Sequence, residues 1–236
     1  MAYALYYWTG IQGRGEFVRL ALEDAGADYV DVCRRDGDEA MVPFLAGRQP
    51  GAVPFAPPFL RDGRRVVAQT AAILAYLAPR LHLVPAGETT RLRAHQLQLT
   101  IADLVAEAHD THHPLSADLY YEDQREAALA RADAFRRERL PKYLRYFERE
   151  LAGGAAPRVF ARHSYVDLSL FQLMAGLDYA FPQAMRRLRR RTPRLRALAA
   201  QVAERPRLAA YLASPRRLPF NESGIFRHYP ELDEPG

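Results

Sequence analysis

The chain has 236 residues, 49% of them hydrophobic and 26% charged, a balance that suits one large globular domain or two small ones and excludes disorder as the main description. Lys and Arg number 33 against 28 Asp and Glu, a formal charge of +5, and Lys142 is the only lysine; so modest an excess does not mark a nucleic-acid partner. The single cysteine, Cys33, excludes an internal disulfide and any Cys-x-x-Cys redox or zinc motif. No apolar run approaches the ~20 residues of a membrane helix. The opening Met1-Ala2-Tyr3-Ala4-Leu5-Tyr6 alternates like a strand and lacks the parts of a secretory signal, so the expectation is a cytoplasmic protein with no membrane contact.

Residues 2–8 read as a strand with Tyr3, Leu5 and Tyr7 on one face. After a turn over Thr9-Gly10-Ile11-Gln12-Gly13, the spacing of Phe17, Leu20, Ala21 and Ala25 predicts a helix from Glu16 that stops at Gly26. Tyr29-Val30-Asp31-Val32 is a second short strand, and Asp36 to Arg48 a loop with one or two helical turns. A proline cluster (Pro50, Pro54, Pro57, Pro58) leads into Phe59 to Ala68, a hairpin with its turn on Asp62-Gly63. Thr70 opens a helix through Leu77. The order β-α-β-(α)-β-β-α in some eighty residues gives a small mixed sheet with helices on its faces.

After a linker, almost everything reads as helix. Leu92, Leu97, Leu99 and Leu104 predict a long amphipathic helix from Glu88 to about His109, ended or kinked at Pro114. A second runs from about Glu122 to Leu151, bent at Pro141 and closed by Gly153-Gly154. Others begin at Ser164, span Pro193 to Arg205, and span Pro206 to Leu212; the tail after Ser214 is irregular. Ser164 with Asp167 forms a capping box, a folding element and not a catalytic pair.

Three stretches carry a resemblance. Leu5-Tyr6-Tyr7-Trp8…Gln12-Gly13-Arg14-Gly15-Glu16…Arg19-Leu20 resembles the first strand-turn-helix of glutathione S-transferases. Pro58-Phe59-Leu60-Arg61-Asp62-Gly63…Gln69-Thr70 through Leu77 resembles the segment that holds the γ-glutamyl group of glutathione. Ser164-Tyr165-Val166-Asp167 is similar to the helix start of that family's C-terminal domain. The resemblance is to the tyrosine-type cytosolic classes (alpha, pi, sigma) and covers essentially the whole chain. It implies a thioredoxin-like α/β N-terminal domain over residues 1–80, a linker at 81–87 and an all-helical domain over 88–236. It further implies glutathione as co-substrate, a small apolar electrophile as second substrate, a detoxifying role, a homodimer, and no metal. A binding or scaffold protein that does not turn over, and a glutathione-dependent isomerase, are the alternatives.

The residues have physical readings of their own. A proline before a strand is where a cis peptide bond persists, because X-Pro costs only ~0.5–1 kcal/mol for cis. The resemblance implies that Pro58 is that proline, exposing the preceding backbone to the cysteinyl part of glutathione; the other reading is a plain loop proline. The preceding residue, Pro57, has no N–H and offers only its carbonyl. Gln69-Thr70 stands where a strand turns into a helix, and the unpaired amides and positive dipole end there favour a carboxylate such as that of the γ-glutamyl group; otherwise Thr70 is an N-cap. The phenol of Tyr7 can donate to a thiolate and favour it over its acid form, and Arg14 would add positive charge. Tyr7 and Arg14 stand one residue further apart than in the tyrosine-type pattern, which leaves Tyr6 and Thr9 open as alternatives.

By the resemblance, Asp103 reaches across a dimer to the neighbour's γ-glutamyl amine, or else it is an ordinary solvated helix residue; Arg48 is placed at the glycine carboxylate by position. His109, His112 and His113 lack a second ligand cluster and read as structural or substrate-pocket residues rather than a metal site. The five arginines between Arg186 and Arg191 read as a solvated helix end, with no aromatic interleaving for nucleic acid. Cys33 follows the second strand and not the first turn, which argues against cysteine-type chemistry.

Overall fold

The computed structural model describes residues 2–154 and 156–234. The chain runs β1 (Tyr3–Tyr6), α1 (Gly15–Ala25), β2 (Tyr29–Asp31), α2 (Val32–Asp36), a 3-10 turn at Asp38–Met41, α3 (Val42–Leu45), β3 (Phe59–Asp62), β4 (Arg65–Ala68) and α4 (Thr70–Arg80). There follow α5 (Glu88–Asp110), α6 (Arg125–Ala134), α7 (Leu140–Glu150), α8 (Tyr165–Ala180), α9 (Pro182–Leu188), α10 (Pro193–Ala203), α11 (Pro206–Leu212) and α12 (Pro230–Asp233). Among the described residues no helix is long and apolar enough to cross a membrane.

The sheet has the order β2-β1-β3-β4. β1 lies parallel to β2 across the α1 crossover, and β3 runs antiparallel to both β1 and β4. The register sets Leu5 opposite Leu60 and Tyr6 opposite Phe59. Because side chains alternate along a strand, the two pairs face opposite ways. Leu5 and Leu60 join a core shared with α1, α4 and the helical half. Tyr6 and Phe59 join a smaller cluster with Val32, Cys33, Met41 and Phe44 on the other face. The larger core is continuous from Leu5 to Phe226, so the sheet and the helices are welded by apolar burial and not merely tethered by the segment at 81–87.

The local signals mostly set the element ends. α1 stops at Gly26, whose φ of 64° closes the helix in the left-handed conformation that glycine adopts at no steric cost. Ser164 and Asp167 form the predicted capping box at the head of α8, the Asp167 carboxylate accepting from the Ser164 amide at 2.8 Å.

Four features differ from the sequence reading. The hairpin turn falls on Gly63-Arg64, since Asp62 is still paired with Arg65. α4 continues to Arg80, carrying Pro79 inside its last turn. The second long helix is not simply bent at Pro141: a π-helical stretch over Phe135–Arg139 separates α6 from α7. That widening lies just ahead of a residue that has no N–H to close a regular turn and whose ring crowds the carbonyl four residues back. α9 is an additional helix, started by Pro182 at its first position, with the arginines that follow exposed to solvent.

Candidate active site

Tyr7 follows β1 directly and is only 3% exposed. Its ring lies beneath the turn into α1, so close that a Cβ on Gly13 or Gly15 would collide with it, at 2.1 and 2.6 Å respectively. Gly13 also has a φ of 46°, so here glycine is required twice over. The Tyr7 hydroxyl accepts the Arg14 amide at 2.8 Å, and its own hydrogen remains free to donate. Burial raises the Tyr7 pKa, against the opposing pull of the Arg14 and Gly15 amides and the Arg14 and Arg19 guanidinium groups. The phenol therefore stays protonated at neutral pH.

Gln69 occupies the cap position of α4 with a φ of 70°, a conformation costing a non-glycine residue roughly 1–2 kcal/mol. Thr70 is the first helical residue rather than the cap, and its hydroxyl reaches out of its own helix to the Arg14 carbonyl at 3.4 Å. This contact joins the head of α4 to the head of α1. Both helix starts face one cavity of about 380 Å³, lined by Arg14, Gln69, Thr70, Ala71 and Ala72 together with residues of α5 between His95 and Val105. The first amides of α4 have no acceptor within the helix, so the wall they form suits an anion. The Pro57–Pro58 peptide bond is cis; Pro58 is buried and Pro57 half-buried, immediately before β3.

Tyr7, Pro57 and Pro58 are not among the residues that line this cavity, and other residues singled out from the sequence also lie apart from it. Tyr6 stacks on Phe59 with ring centroids 4.4 Å apart and sits 5.0 Å from Phe44, on the opposite face of the sheet from Tyr7. Thr9 is half-buried in the turn, its amide donating to Asp38. Arg48 is exposed in the loop after α3 and does not line the cavity. Asp103 is exposed on α5, next to the cavity-lining Ala102. Cys33 is buried, and that burial pushes its thiol up to about 11, which leaves it protonated and unreactive.

The three histidines after the middle of α5 do come together, their ligand nitrogens all lying within 4.8 Å of one another. Burial first, then the charges of Arg14, His113 and Arg227, holds His109 down to about 4. Burial takes His112 down to about 3 and lowers His113 as well. All three are neutral at pH 7.

Two groups of residues escaped the sequence reading. His95 and Gln98 line the cavity, and among the described residues the His95 Nδ1 and Gln98 Oε1 atoms are buried without a partner. Their positions on an amphipathic helix gave no signal beyond a polar residue in an apolar stretch. The second group is a buried polar network. Gln172 donates to the Gln12 side chain at 2.9 Å, Arg217 donates to Gln172 at 2.8 Å, and Gln12 donates to the Leu218 carbonyl. It anchors the turn between β1 and α1 to α8 and to the tail.

Residues 109–215 match the family model described as glutathione S-transferase, C-terminal domain. A glutathione S-transferase of Plasmodium falciparum is 22% identical to the chain over 218 residues, covering 89% of this chain and 94% of the relative. Glutathione S-transferase 2 of Onchocerca volvulus is 26% identical, over 95% of this chain and 99% of the relative. The solved structure of the Onchocerca volvulus Pi-class glutathione S-transferase superposes with a TM-score of 0.71 at 24% identity, covering 95% of this chain and 99% of that one. A small mixed sheet with a cis-proline before β3, two helix heads meeting at one cavity, and a helical stretch that matches this family's model agree with one another: the chain has the fold of the glutathione S-transferases, and its residues 109–215 match that family's C-terminal domain.

Proposed function

We propose that the protein is a glutathione transferase that activates the thiol of glutathione for attack on a small apolar electrophile. The observation that carries this reading is the convergence of the heads of α1 and α4 on one cavity, joined by the Thr70 hydroxyl on the Arg14 carbonyl. The tripeptide would lie along the sheet edge. Its γ-glutamyl carboxylate would meet Gln69 and Thr70, its cysteinyl backbone would run beside Pro57–Pro58 and use the Pro57 carbonyl, and Arg48 would take the glycine carboxylate. The Tyr7 hydroxyl would donate to the sulfur and Arg14 would add positive charge. Lowering the thiol pKa by about two units favours the thiolate by roughly 2.7 kcal/mol. The thiol proton leaves to solvent, the sulfur lone pair forms a carbon–sulfur bond, and the electrophile's leaving group departs.

Retention on immobilised glutathione, with turnover of a chloronitrobenzene, is the test. Failure of both would overturn the reading. Binding without turnover would favour a glutathione-binding protein with little catalysis, a second reading supported by the missing N–H at Pro57 and the deep burial of the Tyr7 ring.

A homodimer belongs to the same proposal, as do a cytoplasmic setting and a role in detoxification. Phe55, in the loop before the cis bond, is 94% exposed, and Leu92 and Leu99, seven residues apart on α5, are 63% and 47% exposed. A second copy of the chain would cover these side chains, and the Asp103 carboxylate would then stand near the neighbour's γ-glutamyl amine. Sedimentation of Phe55→Ser as a monomer would support the arrangement; an unchanged mass for variant and parent, both monomeric, would sink it.

A further inference from the structure

We propose that His109, His112 and His113 form a three-imidazole site for a divalent transition-metal ion, zinc or a metal of similar preference, with a fourth position open. The residues stand at i, i+3 and i+4, the spacing that puts side chains on one face of a helix. The His112 and His113 amides both bond back to the His109 carbonyl at 3.2 Å, so the helical geometry continues past the end of α5. The imidazole centroids are 4.9, 5.1 and 4.7 Å apart. Metal–nitrogen bonds of ~2.0–2.1 Å set two ligands of a tetrahedral ion about 3.3 Å apart. The nitrogens here run from 2.5 Å between the two Nδ1 atoms of His112 and His113 up to 4.8 Å, so small side-chain rotations suffice.

The orientation of His112 supports the assignment independently. Its Nε2 is 2.8 Å from the Ile225 carbonyl. A carbonyl only accepts, so the hydrogen is on Nε2 and the lone pair is on Nδ1, which lies beside the His113 Nδ1. A metal-bound histidine characteristically gives its second N–H to such a carbonyl, which fixes its tautomer and its direction. The carbonyl is itself held from afar: the adjacent Phe226 ring occupies the space over Gly176 so fully that a Cβ there would be 2.3 Å from it. His112 is buried while His109 and His113 are half-buried, which leaves a way in for the ion. The charged groups that act on the cluster are Arg14, Arg227 and Glu122. With two guanidinium groups nearby and three neutral ligands, water or a small anion would complete the coordination. Imidazole ligands suit zinc, copper, nickel and iron and disfavour magnesium or calcium.

The test uses the full chain without a histidine tag, stripped by a chelator and titrated with cobalt(II) as the spectroscopic probe. One equivalent should bind and give the visible ligand-field absorption of a site with nitrogen ligands. His109→Gln and His113→Gln should each weaken binding by at least about 10-fold, with far-ultraviolet circular dichroism unchanged. His228→Gln should behave as the parent does. The assignment is overturned if the parent shows no such absorption at saturating cobalt, or if either ligand variant, still folded, binds within a few-fold of the parent.

Discussion

Glu16 and Arg217, 201 positions apart in the chain, form an ion pair in the interior, the Arg217 Nη1 atom 2.5 Å from Glu16 Oε1. Glu16 is fully buried; it also accepts from Arg19 at 3.2 Å and from the Tyr211 hydroxyl at 2.6 Å. Removing one partner from a buried pair leaves a charge without full compensation. Arg217→Ala should therefore destabilise the fold by about 3 kcal/mol and lower the melting temperature by roughly 6–12 °C. Urea unfolding measures the difference; a loss under ~0.5 kcal/mol would show that the pair contributes nothing.

Tyr7→Phe removes both the acceptor for the Arg14 amide and the donor offered to the sulfur. The pKa of bound glutathione should rise by about two units, and conjugation at neutral pH should slow by up to about 100-fold. Ultraviolet titration of the thiolate reads the first and initial rates the second. Tyr6→Phe, whose ring lies in the other cluster, should leave both unchanged. A Tyr7→Phe variant with the parent's rate and titration would remove Tyr7 from the chemistry.

The left-handed backbone of Gln69 separates its two roles. Gln69→Gly should relieve about 1 kcal/mol of backbone cost, partly offset by the greater freedom of the unfolded chain, whereas Gln69→Ala keeps that cost. Gly should thus be the more stable of the two, while both raise KM for glutathione by a similar factor. Equal melting temperatures for the two variants would contradict the backbone argument.

His163 lies 3.5 Å from Asp24 and 3.6 Å from Asp167. Burial first, then Arg205, nevertheless holds it down to about 4, against the pull of Asp24. Its value in the unfolded chain is 6.5, so between these limits the unfolded state binds the extra proton. The stability from a neutral His163 is whole above pH 6.5 and is lost as pH falls from there towards 4. Melting temperatures between pH 7.5 and 5 should fall more steeply for the parent than for His163→Gln; parallel curves would refute the assignment.

The elements and their order follow from short-range patterns. Leu5 and its alternating neighbours mark β1, Gly26 stops α1, the Ser164–Asp167 box starts α8, and Pro193 and Pro206 open α10 and α11. Each is a matter of residues within a few positions of one another, where steric limits and unpaired amides act directly. The resemblance to glutathione S-transferases was legible for the same reason, since its motifs are local.

What tertiary structure decided are the choices between residues that look alike locally. Tyr6 and Tyr7 are adjacent aromatics, and only the pairing of β1 with β3 shows that one faces Phe59 and the other the head of α1. Arg48 and Asp103 are charged residues that position alone cannot place, and the fold leaves both side chains exposed. Glu16, Gln12 and Gln172 are polar residues whose sequence neighbours do not account for their burial; partners from 160 to 206 positions away make it tolerable. A buried polar group is stable only when its partner is present, and that partner exists for it only once the chain has folded.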